Sequence, residues 1–336
     1  MRLAVGGITI IMTAMITTMS DADDLPSDLR QAFGAFDKAA DRIIRKFAKP
    51  SNAAPPDSLY HYTTDIGLKG ILESGALWVS DVRSVNDPSE LSHGISLVHG
   101  ALDEFSAGKS DKFRAFVARS RAIPWAKEIQ NVVHFFICSL NRDSDGDDLS
   151  QWRAYGDNGH GYALEFNGHA LVEAFDSRED HNFSFPIQYD MTSLSNLVPT
   201  LIQHLHERFL AFHDSHSGHQ LLNKCLDELR DRCDCKAITL SLFFKHRAYR
   251  HENEFRLMQI YPQGMDPPGV KIRMRSHELI RYREFEWKKQ QAAGLKRIIV
   301  GPAADYDKSA QFVQNCLERY HPGTVKICRS TIPYRP

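Results

Sequence analysis

Apolar and polar residues alternate from Leu59 to Tyr62, and the alternation stops at Thr63 and Thr64. Both threonines are good helix N-caps, so the pattern predicts a strand that feeds directly into a helix. Ile66, Gly70, Ile71 and the Leu68/Leu72 pair give that helix one apolar side, and Gly75 stands where a left-handed C-terminal cap belongs. Ala76 to Ser80 then resumes strand pattern. The stretch is therefore one strand–helix–strand unit, with His61 near the end of its first strand, where side chains commonly point into a cleft.

The same reading extends along the chain. Leu29, Phe33, Phe36, Ala40, Ile43, Ile44 and Phe47 recur at helical spacing, and Lys49-Pro50 with SNAAPPD ends that helix in a linker. In SVNDPSEL, Asp87 is an N-cap with Pro88 at the first helical position and Glu90 in the first turn. Two helices follow, to about Gly108 and about Ala122. The run VVHFFICSL over 132–140 has strand length and is apolar almost throughout, which predicts a central strand buried on both faces. Ser150, Trp152 and Tyr155 fall on a short helical turn, DNGHG is a turn, and Tyr162 to Phe166 is a strand.

From Ser193 to Cys233 a helical stripe runs through Leu194, Leu197, Leu201, Leu205, Phe209 and Phe212 with no strand signal inside it, so about 193–235 is a helical insertion or cap. Glu254 opens an exposed strand start that runs to Tyr261, with Arg256 on the same face two residues on. Val270, Ile272 and Met274 alternate with Lys271, Arg273 and Arg275. Strands at 295–300 and 325–332 flank a helix at 305–319. Strands, then helices, then strands predict an α+β domain over 58–335 with a mixed, largely antiparallel sheet. Residues 19–57 form an N-terminal helix and linker.

Composition narrows the class without naming it. The 336 residues are 42% apolar and 25% charged, those of a soluble globular protein, and the net charge of −1 argues against a protein that coats nucleic acid. Bases outnumber acids from Lys245 to Arg297, which leaves nucleic-acid contact through that basic region open. Six cysteines without framework spacing suit reduced thiols in a cytoplasmic protein. Residues 1–18 hold an apolar run too short to span a bilayer, with no small-x-small cleavage site. They read as the product of an upstream start codon chosen in error before Met19, with no membrane partner.

Metal signals are weak. Asp143, Asp145, Asp147 and Asp148 around Gly146 faintly resemble a calcium loop but lack its twelfth-position glutamate, so they read as a solvated acidic loop. His204, His206, His213, His216 and His219, with Cys225, Cys233 and Cys235 beyond, match no paired zinc spacing and read as a polar helix face. No metal is expected. Three places remain for chemistry: the His61 junction, the turn Ser150–Tyr155, and Lys245 to Arg256 with Glu252 and Glu254. The P-loop, dinucleotide-fold fingerprint, nucleophile elbow and zinc-protease motifs are all missing.

The segments LYHYTTDIGLKGILESGALWVSDVRSVNDPSE, SQWRAYGDNGHGYALEF, KHRAYRHENEFRL, LKRIIVGP and RSTIPYR, in that order, resemble the bacterial family catalogued as domain of unknown function 2971 over roughly 58–335. Some members resemble phage-defence (abortive infection) proteins. A more distant resemblance is to the ADP-ribosyltransferase fold of the diphtheria-toxin and poly-ADP-ribose polymerase type, enzymes with a His-Tyr-Glu set. It implies a toxin-like or defence enzyme that uses NAD as substrate and a macromolecule as acceptor. It also implies that His61 bonds the adenosine-side ribose, with Tyr62, Thr63, Ser150, Trp152 and Arg256 nearby. Tyr155 would stack on nicotinamide, and Glu254 would stabilise the oxocarbenium-like ribose. Tyr62 stands where those enzymes place a glycine. Tyr62 and Tyr162 compete with Tyr155, and Glu165 and Glu252 with Glu254. The cations of 270–275 either face a pyrophosphate or form a solvated strand row. The other readings are a nucleotide or nucleic-acid phosphodiesterase built on His61 and a carboxylate, and a non-catalytic sensor or interaction module.

Overall fold

The computed structural model describes residues 26–48, 54–84, 90–121, 133–142, 145–177, 182–189, 192–215, 219–262, 267–275, 277–289 and 294–334. The proposed start at Met19, the Asp87 cap with Pro88, and Asp143 lie outside these residues.

The alternation from Leu59 becomes strand β1 (Ser58–Thr63), and the helix after it is α2 (Asp65–Ser74), following an N-terminal helix α1 (Ser27–Ala48). Thr64 caps α2 through its side chain, which accepts the Gly67 N–H, and Gly75 closes it at φ 65°, a conformation open to glycine at little cost. β2 (Leu77–Asp81), α3 (Glu90–Ser106), α4 (Asp111–Arg121) and β3 (Val133–Asn141) follow. Next come α5 (Leu149–Tyr155), β4 (Tyr162–Asn167), α6 (Gly168–Asp176) and β5 (Asn182–Pro186). The predicted insertion is a pair of helices, α7 (Thr192–Ser215) and α8 (His219–Ser241). The chain closes with β6 (Glu254–Pro262), β7 (Lys271–Arg275), β8 (Glu278–Phe285), β9 (Leu295–Val300), α9 (Tyr306–Tyr320) and β10 (Lys326–Arg329). The sequence pattern did not reveal α6, β5 or β8.

These strands make one mixed α+β sheet in the order β10-β9-β4-β1-β3-β2-β8-β7, with β6 along the other edge of β3 and β5 beyond it. Every pair is antiparallel except β9 with β10. β3 is the buried central strand its apolar run predicts, because its two faces join two different cores. Phe135 and Ile137 pack with α1, α3, α4, α7 and α8. Phe136, Cys138 and Leu140 pack with α2, α6 and α9. α1 is part of the helical layer, and Asp37 meets Arg232 of α8 in a buried ion pair. The histidines of α7 are not all a polar face: the His206 ring lies edge-on to Phe113 at 4.7 Å. Among the described residues no group of three His, Cys, Asp or Glu side chains could hold a metal ion, and no helix is long and apolar enough to cross a membrane.

Candidate functional site

The sheet splits beside β3. On one edge β3 pairs with β6 along its whole length, from Val133 opposite Pro262 to Asn141 opposite Glu254. The other edge is shared: Tyr60 of β1 meets Asn141, whereas Ser80 and Asp81 of β2 meet Ile137 and Phe136. Among the described residues no strand faces 138–140 on that side. β1 and β2 diverge around α2, and a cleft of about 630 Å³ opens between them, within the range of small-ligand sites. Into it come His61, Thr63, Tyr155, Lys245, Glu252 and Glu254 from β1, α5 and the approach to β6.

Register places Glu254 and Arg256 on one face of β6, because they stand opposite Asn141 and Ser139. The Arg256 Nε donates to Glu254 Oε1 at 2.8 Å, and Ser139 Oγ donates to the same oxygen at 2.6 Å. Lys245 Nζ reaches Glu254 Oε2 at 3.4 Å and Glu252 Oε2 at 2.6 Å. Burial favours protonation of Glu254, but the charges of Arg256 and Lys245 with these hydrogen bonds outweigh it and pull its carboxyl down to about 2. Glu254 is thus not at an exposed strand start; it is 3% exposed. Arg256 is correspondingly turned inward: its Nη1 also donates to the Leu242 carbonyl at 3.3 Å, so it orients Glu254. Ser139 gave no signal of this role, being the one hydroxyl in an otherwise apolar strand end.

Glu252 is the less enclosed carboxylate. It ends a short 3-10 turn, Arg247–Glu252, and Asn253 follows in the left-handed region at φ 42°. Strained backbone of this kind persists only where its surroundings hold it. Here Arg142 Nε donates to Asn253 Oδ1 at 2.6 Å, and Asn141 Nδ2 donates to the Glu252 carbonyl at 2.9 Å. The Tyr155 hydroxyl donates to Glu252 Oε1 at 3.2 Å. Tyr155, Glu252 and Lys245 thus form one hydrogen-bonded series along the cleft, the last two drawn from the KHRAYRHENEF segment.

His61 lies half-buried at the split. Burial brings its imidazole down to about 4, against a hydrogen bond with the Ser139 main chain, so the ring is neutral at pH 7. Its neighbours in the motif do other work. The Tyr62 hydroxyl donates to the Gly146 carbonyl at 2.8 Å and accepts the Asp148 N–H at 3.2 Å, and its ring stands edge-on to Trp152 at 4.9 Å. Trp152 is fully buried and donates from Nε1 to Asp147 at 2.8 Å, and Ser150 hydrogen-bonds the Asp148 carboxylate. Ser150 and Trp152 therefore brace the turn that presents Tyr155; neither lines the cleft. Two of the competing residues are elsewhere too. Tyr162 is buried beside Phe312, and Glu165 is held by Arg297 at 2.6 Å and Lys296 at 3.0 Å on β4.

The acidic loop is not simply solvated. Asp148 caps α5, and Asp147 accepts from Ser330 Oγ at 2.6 Å, the Thr331 N–H at 2.7 Å and Trp152. Burial opposes its charge, yet these bonds hold the Asp147 carboxyl below its ordinary value. Asp147 thus joins the SQWRAYG turn to the RSTIPYR segment. Gly146 fits the same knot at φ 66°, since an added Cβ would stand 2.1 Å from the Tyr60 ring. Asp147→Ala leaves the buried indole N–H and the C-terminal strap without their acceptor, and should cost about 2–3 kcal/mol. A urea midpoint equal to that of the wild type would contradict this role.

A comparison with curated proteins and with solved structures found no match. The family model matches a stretch narrower than the one the motifs mark, but it contains Tyr155, Lys245, Glu252, Glu254 and Arg256. Over residues 151–257, from α5 to β6, the chain matches the model of the family described as Protein of unknown function (DUF2971).

Proposed function

We propose that the cleft binds NAD and breaks its nicotinamide–ribose bond, passing ADP-ribose to water or to a macromolecular acceptor. The observation that carries this reading is that His61, Tyr155 and Glu252, from three distant motifs, line one cleft at the split edge of β3. It is the arrangement that the likeness to ADP-ribosyltransferases implies, with Glu252 in the place first given to Glu254. The bonding electrons leave with the nicotinamide nitrogen, so positive charge grows at the ribose carbon. A carboxylate preoriented beside that carbon favours the transition state over the bound substrate. Glu252 is the catalytic carboxylate, and Tyr155 and Lys245 fix its two oxygens. Glu254 is a positioning residue that holds Lys245 and Arg256. Tyr155 offers its ring to the leaving nicotinamide, and neutral His61 offers a hydrogen bond to a ribose hydroxyl.

The phosphodiesterase reading draws on the same cleft, but a His61 that stays neutral to about 4 would serve it only as a base, not as the acid for the leaving oxygen. The test is nicotinamide release from NAD by the purified protein, with and without cell extract as acceptor. Release by the wild type supports the reading. No release under either condition sinks it and leaves a binding module or a phosphodiesterase.

His61 gives a separate prediction. Its folded value lies below the ordinary 6.5, so it takes up no proton between about pH 5.5 and 8, and NAD affinity should be flat across that window. His61→Ala should weaken NAD binding about three- to tenfold, the loss of one hydrogen bond. An inflection of affinity near pH 6.5, or an unchanged dissociation constant in the variant, would remove His61 from the site.

A further inference from the structure

The same cleft has a second wall, built from β2 and β7, that the proposed chemistry leaves unused. Among the described residues β7 pairs only with β8 and is an edge of the sheet. A row of cations on such an edge is ordinarily solvated, and two of the three behave that way. Lys271 pairs with Glu284 at 2.8 Å and Arg275 stands 3.9 Å from Glu278, both cations being exposed. Arg273 differs. It is half-buried against the cleft, its guanidinium carbon lies 5.1 Å over the Trp78 ring, and Nη2 reaches Ser80 Oγ at 3.4 Å. Trp78 is backed in turn by Tyr282, with ring centroids 4.6 Å apart. Among the described residues Arg273 Nε has no hydrogen-bond partner, and no carboxylate lies in ion-pair range of the guanidinium.

An uncompensated guanidinium is costly to withdraw from water. Burial, and then the neighbouring charge of Arg275, both work against the protonated form of Arg273. The cleft as a whole shares this imbalance. Lys245, Arg256, Arg273 and Arg275 line it against Glu252 and Glu254 alone, in a chain whose net charge is −1. The two glutamates are already occupied by Lys245 and Arg256, and Arg275 has Glu278 near it, so the excess positive charge lies at Arg273 on the β7 side. A planar guanidinium with free donors, fixed by an aromatic face and a hydroxyl, is suited to bidentate recognition of a phosphate.

We propose that Arg273 is the phosphate-binding subsite of this cleft and takes the diphosphate of a dinucleotide. For the rest of the ligand the proposal rests on the NAD reading. The phosphate anchor and the glycosidic-bond chemistry then occupy opposite walls, β7 and the β1–β6 side. Phosphate anchoring supplies affinity, while Glu252 supplies rate.

Calorimetric titration separates the two. NAD should bind Arg273→Gln at least tenfold more weakly than the wild type, with Arg273→Lys in between because it keeps the charge and loses the fork. Nicotinamide riboside, which has no phosphate, should bind the wild type and both variants alike, which also shows that the variants are folded. Inorganic pyrophosphate should compete with NAD on the wild type and not on Arg273→Gln. Equal NAD affinity in wild type and Arg273→Gln overturns the subsite, and so does a parallel loss of the riboside. If the wild type and Arg273→Gln cleave NAD with the same KM, the NAD reading stands and the subsite falls. If pyrophosphate binds the wild type but not Arg273→Gln and no NAD is cleaved, the subsite stands and the NAD reading falls.

Discussion

Glu254→Gln should destabilise the protein by about 3–5 kcal/mol, the usual cost of removing one member of a buried charge network. The carboxylate is 3% exposed and accepts from Ser139, Arg256 and Lys245. Its loss leaves Arg256, itself 2% exposed, with a buried charge that no longer faces its carboxylate. Urea unfolding at pH 7 measures the effect, and a midpoint within error of the wild type would mean the network is not coupled as its distances indicate. Replacing Glu254 and Arg256 together by methionine should recover much of the loss, because the cost lies in the orphaned charge. The pH dependence has a definite sign. Glu254 falls from an ordinary 4.5 to about 2 in the folded protein, so its support is complete above about 4.5 and drains away as pH drops toward 2. In Glu254→Gln that part of the acid sensitivity should vanish.

Glu252→Gln should lower the rate of nicotinamide release about 10²- to 10³-fold, the scale of losing one preoriented electrostatic contact in a transition state. Here stability should change little, since Lys245 keeps Glu254 at 3.4 Å and the Glu252 main chain keeps Asn141. Single-turnover release on enzyme saturated with NAD, with the dissociation constant measured separately, distinguishes the role. A fall in rate at unchanged affinity supports it. Equal rates in Glu252→Gln and wild type would transfer the chemistry to Glu254 or remove it from this pair. The contrast between the two variants is itself informative, because one loses stability and the other loses turnover although only one residue separates them in the chain.

The local elements were legible in the sequence because local physics makes them. Thr64 and Gly75 bound α2 as their cap chemistry requires, the apolar run of β3 became the central strand, and the α7–α8 stripe became a helical layer. The strands that escaped notice, β5 and β8, have little regular alternation; Arg283 is buried by donating to Gln259 Oε1 at 2.7 Å and the Pro268 carbonyl, partners no local pattern announces. The three segments singled out for chemistry do meet at one cleft, but their members changed places. Ser150, Trp152 and Tyr62 brace, Arg256 and Glu254 lock each other, and Glu252, Lys245 and Arg273 face the opening.

The sequence by itself determined which residues share a strand face and which helices are capped, since both follow from periods of two and 3.6 residues within one segment. It could not choose among Glu165, Glu252 and Glu254. The proposed assignment to Glu252 rests on β4 carrying Glu165 to Arg297, on Asn141 standing opposite Glu254, and on the left-handed turn at Asn253 that follows Glu252. Register between distant strands, and the point where β1 and β2 part from β3, set which charges are buried together. A charge's role depends on that company, and only the tertiary structure supplies it.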